Sequence, residues 1–146
     1  MAWVVDTCIL IDVLEDDPQF GRVSALALDS LAADGLVVCP LTYAELAPAF
    51  QGKLALQDEF LHGVGVDFRQ DWTWADTLRA HEARHRFIER RRSHSLPRRP
   101  LASLADVLIG AFASRYQGLV TRNAGDFASI FPDLKLRGPD FSSSSL

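Results

Sequence analysis

Short apolar runs alternate with stretches of helical periodicity along the chain. The runs predict buried strands because each is bounded by Gly, Pro, Asp or Asn; they are Trp3–Val5, Leu36–Cys39, Val64–Phe68, Gly118–Thr121 and a weaker one at Leu134–Leu136. The helical stretches are Ile9–Leu14, Val23–Ala33, Tyr43–Phe50, Leu54–Leu61, Trp72–Arg92 and Leu104–Tyr116. This alternation predicts an α/β fold: a central, mostly parallel sheet of four or five strands with helices on both faces.

The length of the chain fits one domain. It has 146 residues, and single domains typically run to about 100–150 residues. Since no linker divides the chain, the domain is predicted to span residues 1–141, and the serine-rich end, residues 142–146, is predicted to be a disordered tail. No apolar run approaches the roughly 20 residues of a membrane-spanning helix, and the start of the chain lacks the order of a secretory signal. We therefore expect a cytoplasmic protein with no membrane partner.

Four acids stand where a predicted strand or loop meets a helix or turn. They are Asp6, Glu45, Asp106 and Asp126. Helix capping accounts for such acids one at a time. Asp6 can cap the turn that Thr7 begins, and Thr42 with Glu45 and Ser103 with Asp106 match capping boxes. Their joint placement favours a site, because the carboxyl ends of parallel strands meet at one sheet edge. Two charges about 4 Å apart repel by about 4 kcal/mol at an effective dielectric near 20, so such a cluster requires a cation or a proton.

Another acidic group is left out of this site. Asp12 lies within the first predicted helix, between Ile11 and Val13. The acids after it, Glu15 to Asp17, are typical of a solvated helix end.

Several segments carry a family resemblance. They are Val4-Val5-Asp6-Thr7, Ala44-Glu45-Leu46, Asp106 at the head of an apolar helix, and Thr121-Arg122-Asn123 followed by Asp126-Phe127. In this order and spacing they resemble the PIN-domain ribonucleases, in particular the VapC-type toxins of bacterial toxin–antitoxin modules. The resemblance spans Val4 to about Leu136 and implies a PIN-like three-layer α/β/α sandwich. One departure is Cys8, which stands where a serine or asparagine is common.

The resemblance implies a Mg²⁺- or Mn²⁺-dependent endoribonuclease toxin that hydrolyses structured cellular RNA, is inhibited by a cognate antitoxin and forms a homodimer. It assigns Asp6, Glu45, Asp106 and Asp126 as catalytic metal ligands, with Thr7, Thr121 and Asn123 as polar support. Hard divalent cations prefer such all-oxygen coordination. Family members differ in whether the Asn123 or the Asp126 position supplies the fourth ligand. We favour Asp126, because an ionised carboxylate binds a divalent ion more strongly than an amide does.

A basic segment contrasts with the acidic remainder. Residues 79–99 carry eight arginines against two glutamates, a balance of +6 in a chain whose formal net charge is −4. Arginine binds phosphates in a bidentate manner, so this segment is predicted to attract RNA to the acidic edge. The candidate RNA-binding residues are Arg84, Arg90, Arg91, Arg92, Arg98 and Arg99. The alternative is a solvated helix face without a ligand.

Two other functions stay open from the sequence. One is a catalytically silent PIN-like module that binds RNA or a protein partner. The other is a zinc metallopeptidase, because His81-Glu82-Ala83-Arg84-His85 matches the H-E-x-x-H motif. Arg84 between the two histidines and the lack of a third-ligand motif favour a polar helix face instead. The RNA that is cut, the antitoxin and the number of metal ions are not specified by the sequence.

Overall fold

The computed structural model describes residues 1–93 and 103–139. The predicted tail, residues 142–146, and the candidate RNA-binding residues Arg98 and Arg99 lie outside these ranges.

A parallel sheet forms the centre of the molecule. Its strands are β1 (Trp3–Val5), β2 (Leu36–Val37), β3 (Val66–Asp67), β4 (Gly118–Val120) and β5 (Leu136–Arg137). The strand order is β3-β2-β1-β4-β5, and every neighbouring pair is parallel. All five predicted strands are present, mostly with shorter bounds. Because β1 is the middle strand, the residue that follows it, Asp6, lies at the centre of the carboxyl edge.

Helices cover the sheet. They are α1 (Thr7–Leu14), α2 (Gly21–Leu31), α3 (Pro40–Glu45), α4 (Leu54–Gly63), α5 (Trp74–Ser93), α6 (Leu104–Ala113) and α7 (Ala124–Ile130), with 3-10 turns at Ala32–Asp34 and Ala47–Phe50. The helix predicted from Tyr43 to Phe50 is two elements. Pro40 starts α3 early, because proline is preorganised for the first helical position, and Pro48 lacks the N–H that would continue it. The hydrophobic pattern does not predict α7.

The two faces of the sheet have separate cores, because successive side chains of a strand point to opposite faces. Val5 packs in the same cluster as Ile9 of α1 and Leu28 of α2. Val4 packs on the other side, with Ile109 and Phe112 of α6. The prediction of a three-layer α/β/α sandwich is therefore confirmed. Within the described ranges, no helix is both long and apolar enough to cross a membrane.

The longest helix, α5, is held by hydrogen bonds near its start and near its end. Near its start, the buried carboxylate of Asp76 accepts hydrogen bonds from Arg115, which lies just beyond the end of α6. Further along, Arg90 Nη2 donates to the Ser129 carbonyl of α7 at 2.6 Å. The basic helix is thus held against α6 and α7, the two helices that carry Asp106 and Asp126.

Candidate functional site

Asp6 is a buried carboxylate held by three donors. It is 5% exposed, and its N–H donates to the Val120 carbonyl at 2.9 Å, at the point where β1 and β4 end. Oδ1 accepts from the Thr7 N–H at 2.8 Å, which makes Asp6 the N-cap of α1. Oδ2 accepts from the Thr121 hydroxyl at 2.7 Å and from the Cys8 thiol at 3.4 Å. The capping role of Asp6 is therefore compatible with the predicted site role, since its side chain has a fixed orientation at this edge.

Thr7 connects Glu45 to Asp6, because it hydrogen-bonds to both side chains. The Thr7 hydroxyl donates to Glu45 Oε1 at 2.8 Å and lies 3.0 Å from the Thr42 hydroxyl. The capping-box interpretation of Thr42 and Glu45 was wrong. Because Pro40 opens α3, Thr42 lies inside this helix and Glu45 is its last residue, so its side chain is available to the neighbouring element.

Asp106 lies in the first turn of α6, where the predicted cap is present: the Ser103 hydroxyl accepts from the Asp106 N–H at 3.1 Å. Burial raises the pKa of Asp106 above its ordinary value, and the negative charge of Asp6 raises that pKa further. A hydrogen bond with the Ser103 side chain lowers it, while Asp126 and Glu45 add smaller upward contributions. All three other acids of the predicted quartet thus act on Asp106, so the fold brings the four into one electrostatic neighbourhood.

The segment after β4 contributes Thr121, Asn123 and Asp126. Thr121 is fully buried, and its hydroxyl accepts from the Asn123 N–H at 3.0 Å while donating to Asp6. Asn123 precedes α7 as its N-cap, and Asp126 lies exposed in the first turn. The Asp126 N–H donates to the Asn123 carbonyl at 3.1 Å. Both candidates for the fourth ligand therefore lie at the same edge as Asp6.

The ion-pair partner of Arg122 was not predicted from the sequence. Arg122 donates to Asp12 from Nε at 2.7 Å and from Nη2 at 3.1 Å, and the Ser24 hydroxyl donates to the same carboxylate. Asp12 is 3% exposed, unlike Glu15, which faces solvent as expected. The signal was an acid between two apolar residues in an amphipathic helix, because a buried charge requires a cation. The pair anchors the Thr121–Asn123 segment to α1.

The candidate RNA-binding arginines occupy different surroundings on α5. Arg90 reaches Ser129, which lies three residues, or roughly 5 Å of helical rise, beyond Asp126. Arg92 is 3.9 Å from Glu89, and the Arg91 guanidinium lies 5.8 Å from the centre of the Phe87 ring. Arg84 is exposed. Of these four, Arg90 has the contact that brings the basic helix next to the acidic edge.

The H-E-x-x-H segment lies on the exposed surface of α5. His81, Glu82 and His85 all face solvent, and Glu82 binds Arg86 at 2.5 Å. Residues 1–93 and 103–139 contain no group of three or more His, Cys, Asp or Glu side chains already arranged to hold a metal ion. This applies to the histidines and to the acid quartet alike. The quartet is accordingly a shared electrostatic neighbourhood of oxygen donors and not a closed coordination shell.

Comparison with known proteins supports the fold. No protein-family model matches the chain, and no curated protein matches it. Similar solved structures include VapBC2 from Rickettsia felis bound to a DNA fragment from their promoter, with 19% identity over 94% of this chain and 98% of that chain and a TM-score of 0.67. FitAcB from Neisseria gonorrhoeae has 18% identity, coverage of 95% and 98%, and a TM-score of 0.56. VapBC-1 from nontypeable Haemophilus influenzae has 16% identity, coverage of 95% and 98%, and a TM-score of 0.57. The resemblance to VapC-type PIN toxins is thus confirmed at the level of the fold.

Proposed function

We propose that this protein is a metal-dependent endoribonuclease toxin that hydrolyses phosphodiester bonds of structured cellular RNA. The observation that carries the proposal is that Thr7 hydrogen-bonds to both Asp6 and Glu45 at the carboxyl edge of the sheet. Beside them, burial and then the charges of Asp6, Asp126 and Glu45 raise the pKa of Asp106. Carboxylates from four separate parts of the chain repel one another at one sheet edge, which destabilises the free protein. Such an arrangement is typical of a cation site at which charge develops during a reaction.

The residues present suit Mg²⁺ or Mn²⁺. Asp6, Glu45, Asp106 and Asp126 would hold the ion, because hard divalent cations prefer carboxylate oxygens. When bound, the ion supplies Lewis acidity at the phosphate and a more acidic water. Burial raises the pKa of the Cys8 and Cys39 thiols to about 11, which favours the protonated thiol in the metal-free protein.

The remaining residues of the site orient these acids and the substrate. Thr7 fixes two of them, since its N–H binds Asp6 and its hydroxyl binds Glu45. Thr121 holds the other oxygen of Asp6. A site that is held by buried or shared hydrogen bonds loses little freedom when substrate arrives. The arginines of α5 would attract the RNA backbone towards the acids.

The proposed partners follow from the likeness to VapBC and FitAB assemblies. A cognate antitoxin would inhibit the enzyme by covering the acidic edge, and the active form would be a homodimer acting in the cytoplasm. Co-expression with the protein encoded by the adjacent gene, followed by copurification, tests the first of these. Sedimentation of the free chain tests the second.

The central test is cleavage of cellular RNA by the purified full chain. Cleavage is expected with Mg²⁺ or Mn²⁺, and a chelator should stop it. Asp6→Asn should reduce the rate by at least about 100-fold, because an amide replaces the most buried ligand. Asp29→Asn, which removes an exposed charge on α2, is the matched control and should cleave normally. Cleavage that survives both the chelator and Asp6→Asn would refute the proposal.

A second candidate is a catalytically silent module that keeps the fold and binds RNA or a partner. The lack of a closed coordination shell among the described acids favours it. Titration calorimetry separates the two functions, since an enzyme of the proposed class binds Mg²⁺ or Mn²⁺ at millimolar concentrations or below. No heat of binding in that range, together with intact RNA, would identify the silent module.

A further inference from the structure

A concave region lies away from the acidic edge. It is a cavity of about 500 Å³. Part of its wall comes from Tyr116 and Gln117, which directly precede β4, and part from Leu134 and Lys135, which directly precede β5. The cavity is therefore at the amino ends of these strands, whereas Asp6 and Thr121 follow the carboxyl ends of β1 and β4.

One face of α5 supplies positive charge to this cavity. Arg79, Arg86 and Arg90 line it at helical spacings of seven and four residues, and Lys135 faces them from the loop before β5. The acids that line it are Glu82 and Asp133. Four cationic side chains thus face two carboxylates, which leaves the cavity positively charged.

The pairing of these groups keeps much of that charge unneutralised. Asp76 is a single carboxylate shared between Arg79 and Arg115, each with a nitrogen at 3.0 Å. Arg86 pairs with Glu82 at 2.5 Å, whereas Arg90 donates to a neutral carbonyl. In the part of the chain that the structure describes, no ion pair involves Arg90 or Lys135. The cavity accordingly has cationic donors available to an anion.

We propose that this cavity binds a nucleotide phosphate. Arginine presents planar, paired N–H donors that match phosphate oxygens, and lysine adds a point charge. The wall formed by Ile130, Phe131 and Pro132 is apolar, and partial exclusion of water strengthens the attraction between these cations and an anion. The volume falls within the ordinary range of ligand cavities, about 300–1,000 Å³.

The position of α7 connects the cavity to the acidic edge. Asp126 lies in the first turn of this helix, and Ile130 at its end lines the cavity. Four residues of helix rise about 6 Å, so one nucleic-acid strand can contact both. The phosphate is then a backbone phosphate of the RNA whose scissile bond lies at the acids. The assignment of this phosphate to RNA rests on the proposed function. A free mononucleotide would present the same phosphate group to the cavity.

The test compares two double variants of the full chain in the presence of a chelator, so that no cleavage occurs. Arg86→Gln with Lys135→Gln removes two exposed charges from the cavity. Arg22→Gln with Lys53→Gln removes two exposed charges from other elements and leaves the same net charge. Fluorescence anisotropy of a labelled single-stranded RNA of 12 nucleotides, measured over a salt series, gives affinity and salt dependence. Adenosine monophosphate and inorganic phosphate are titrated separately by calorimetry.

The cavity variant is expected to bind the RNA about 10-fold more weakly. Its slope of log affinity against log salt should fall by about 1.4, since each lost phosphate contact on a single strand removes about 0.7. The control variant should change neither. If adenosine monophosphate binds to the wild type and not to the cavity variant while RNA affinity is unchanged, the phosphate belongs to a free nucleotide.

Equal effects of both double variants, or no effect on any of these ligands, would overturn the proposal. Urea unfolding of both variants verifies that they are folded. Because binding is measured without metal or turnover, its outcome is independent of the cleavage test with Asp6→Asn. Failure of the cavity proposal and failure of the nuclease proposal are thereby distinguished.

Discussion

At the scale of single residues, Thr121 joins two parts of the site through one hydroxyl. It donates to Asp6 and accepts from the Asn123 N–H, and it is fully buried. Thr121→Val keeps the shape but removes both bonds and leaves a buried carboxylate oxygen with one donor fewer. We expect a loss of about 2 kcal/mol in the free energy of unfolding, measured by urea denaturation. RNA cleavage should fall as well, because Asp6 loses its orientation.

Thr121→Ser is the matched control, since it keeps the hydroxyl. It should retain most of the activity and stability that Thr121→Val loses. A Thr121→Ser variant that loses as much stability and activity as Thr121→Val would contradict this account, because Thr121→Ser keeps the hydroxyl.

Asp106 gives a prediction for pH. Its pKa is raised in the folded state by burial and by Asp6, so the folded protein binds the proton more tightly than the unfolded chain. Stability from this group therefore decreases as pH rises from the ordinary aspartate value, about 3.9, through the raised value, and is constant above it. Asp106→Asn should remove this decrease. Since Asp106 is partly exposed and solvent screens it, we expect a gain of about 0.5–1 kcal/mol at pH 7 without metal.

Urea unfolding in a chelator between pH 4 and pH 8 measures this effect. The difference between Asp106→Asn and the wild type should be smallest at the acidic end. Asp106→Asn should at the same time abolish cleavage, which would show that the acid is retained for activity at a cost in stability. A variant that is less stable than the wild type at pH 7 would contradict the electrostatic account.

At the scale of elements, the Asp12–Arg122 pair connects α1 to the segment between β4 and α7. Arg122→Gln leaves the nearly buried Asp12 carboxylate without its cation, and breaking such a pair is expected to cost about 3 kcal/mol of stability. Asp12→Asn with Arg122→Gln removes both charges and should recover part of that loss. A double-mutant cycle from urea unfolding measures the coupling. Single-variant effects that add without coupling would show that the pair does not join these elements.

The elements also show where a single sequence is informative. The five strands were predictable because each apolar run is bounded by turn residues, and Ser103 was predictable as a cap because its bond to Asp106 is local. Contacts between distant residues were not. Thr42 and Glu45 match a capping box in sequence, yet Pro40 sets the helix start, and the partner of Glu45 is Thr7 on another element. The helix α7 is short and contains Gly125, so it has little helical periodicity to detect.

At the scale of the whole molecule, charge is separated between two ends of the sheet. The four acids share the carboxyl edge, whereas Arg79, Arg86, Arg90 and Lys135 line the cavity near the amino ends of β4 and β5. A chain with formal charge −4 can approach RNA only through such local positive regions, because its average field repels phosphate. The fold thus separates a basic surface, which we propose contacts the RNA backbone, from an acidic edge, which we propose holds the cation.

The acidic edge also predicts that divalent ions stabilise the folded protein. A ligand that binds only the folded state at 100 times its Kd adds about 2.7 kcal/mol, which corresponds to a rise of roughly 5–10 °C in Tm for a domain of this size. Thermal unfolding with Mg²⁺ or Mn²⁺ should show this rise for the wild type and for Asp29→Asn. Asp6→Asn and Glu45→Gln should show little of it, since each removes a ligand. An identical rise in all four proteins would place the ions elsewhere on the molecule. Only Asp6→Asn and Glu45→Gln remove carboxylates that raise the pKa of Asp106.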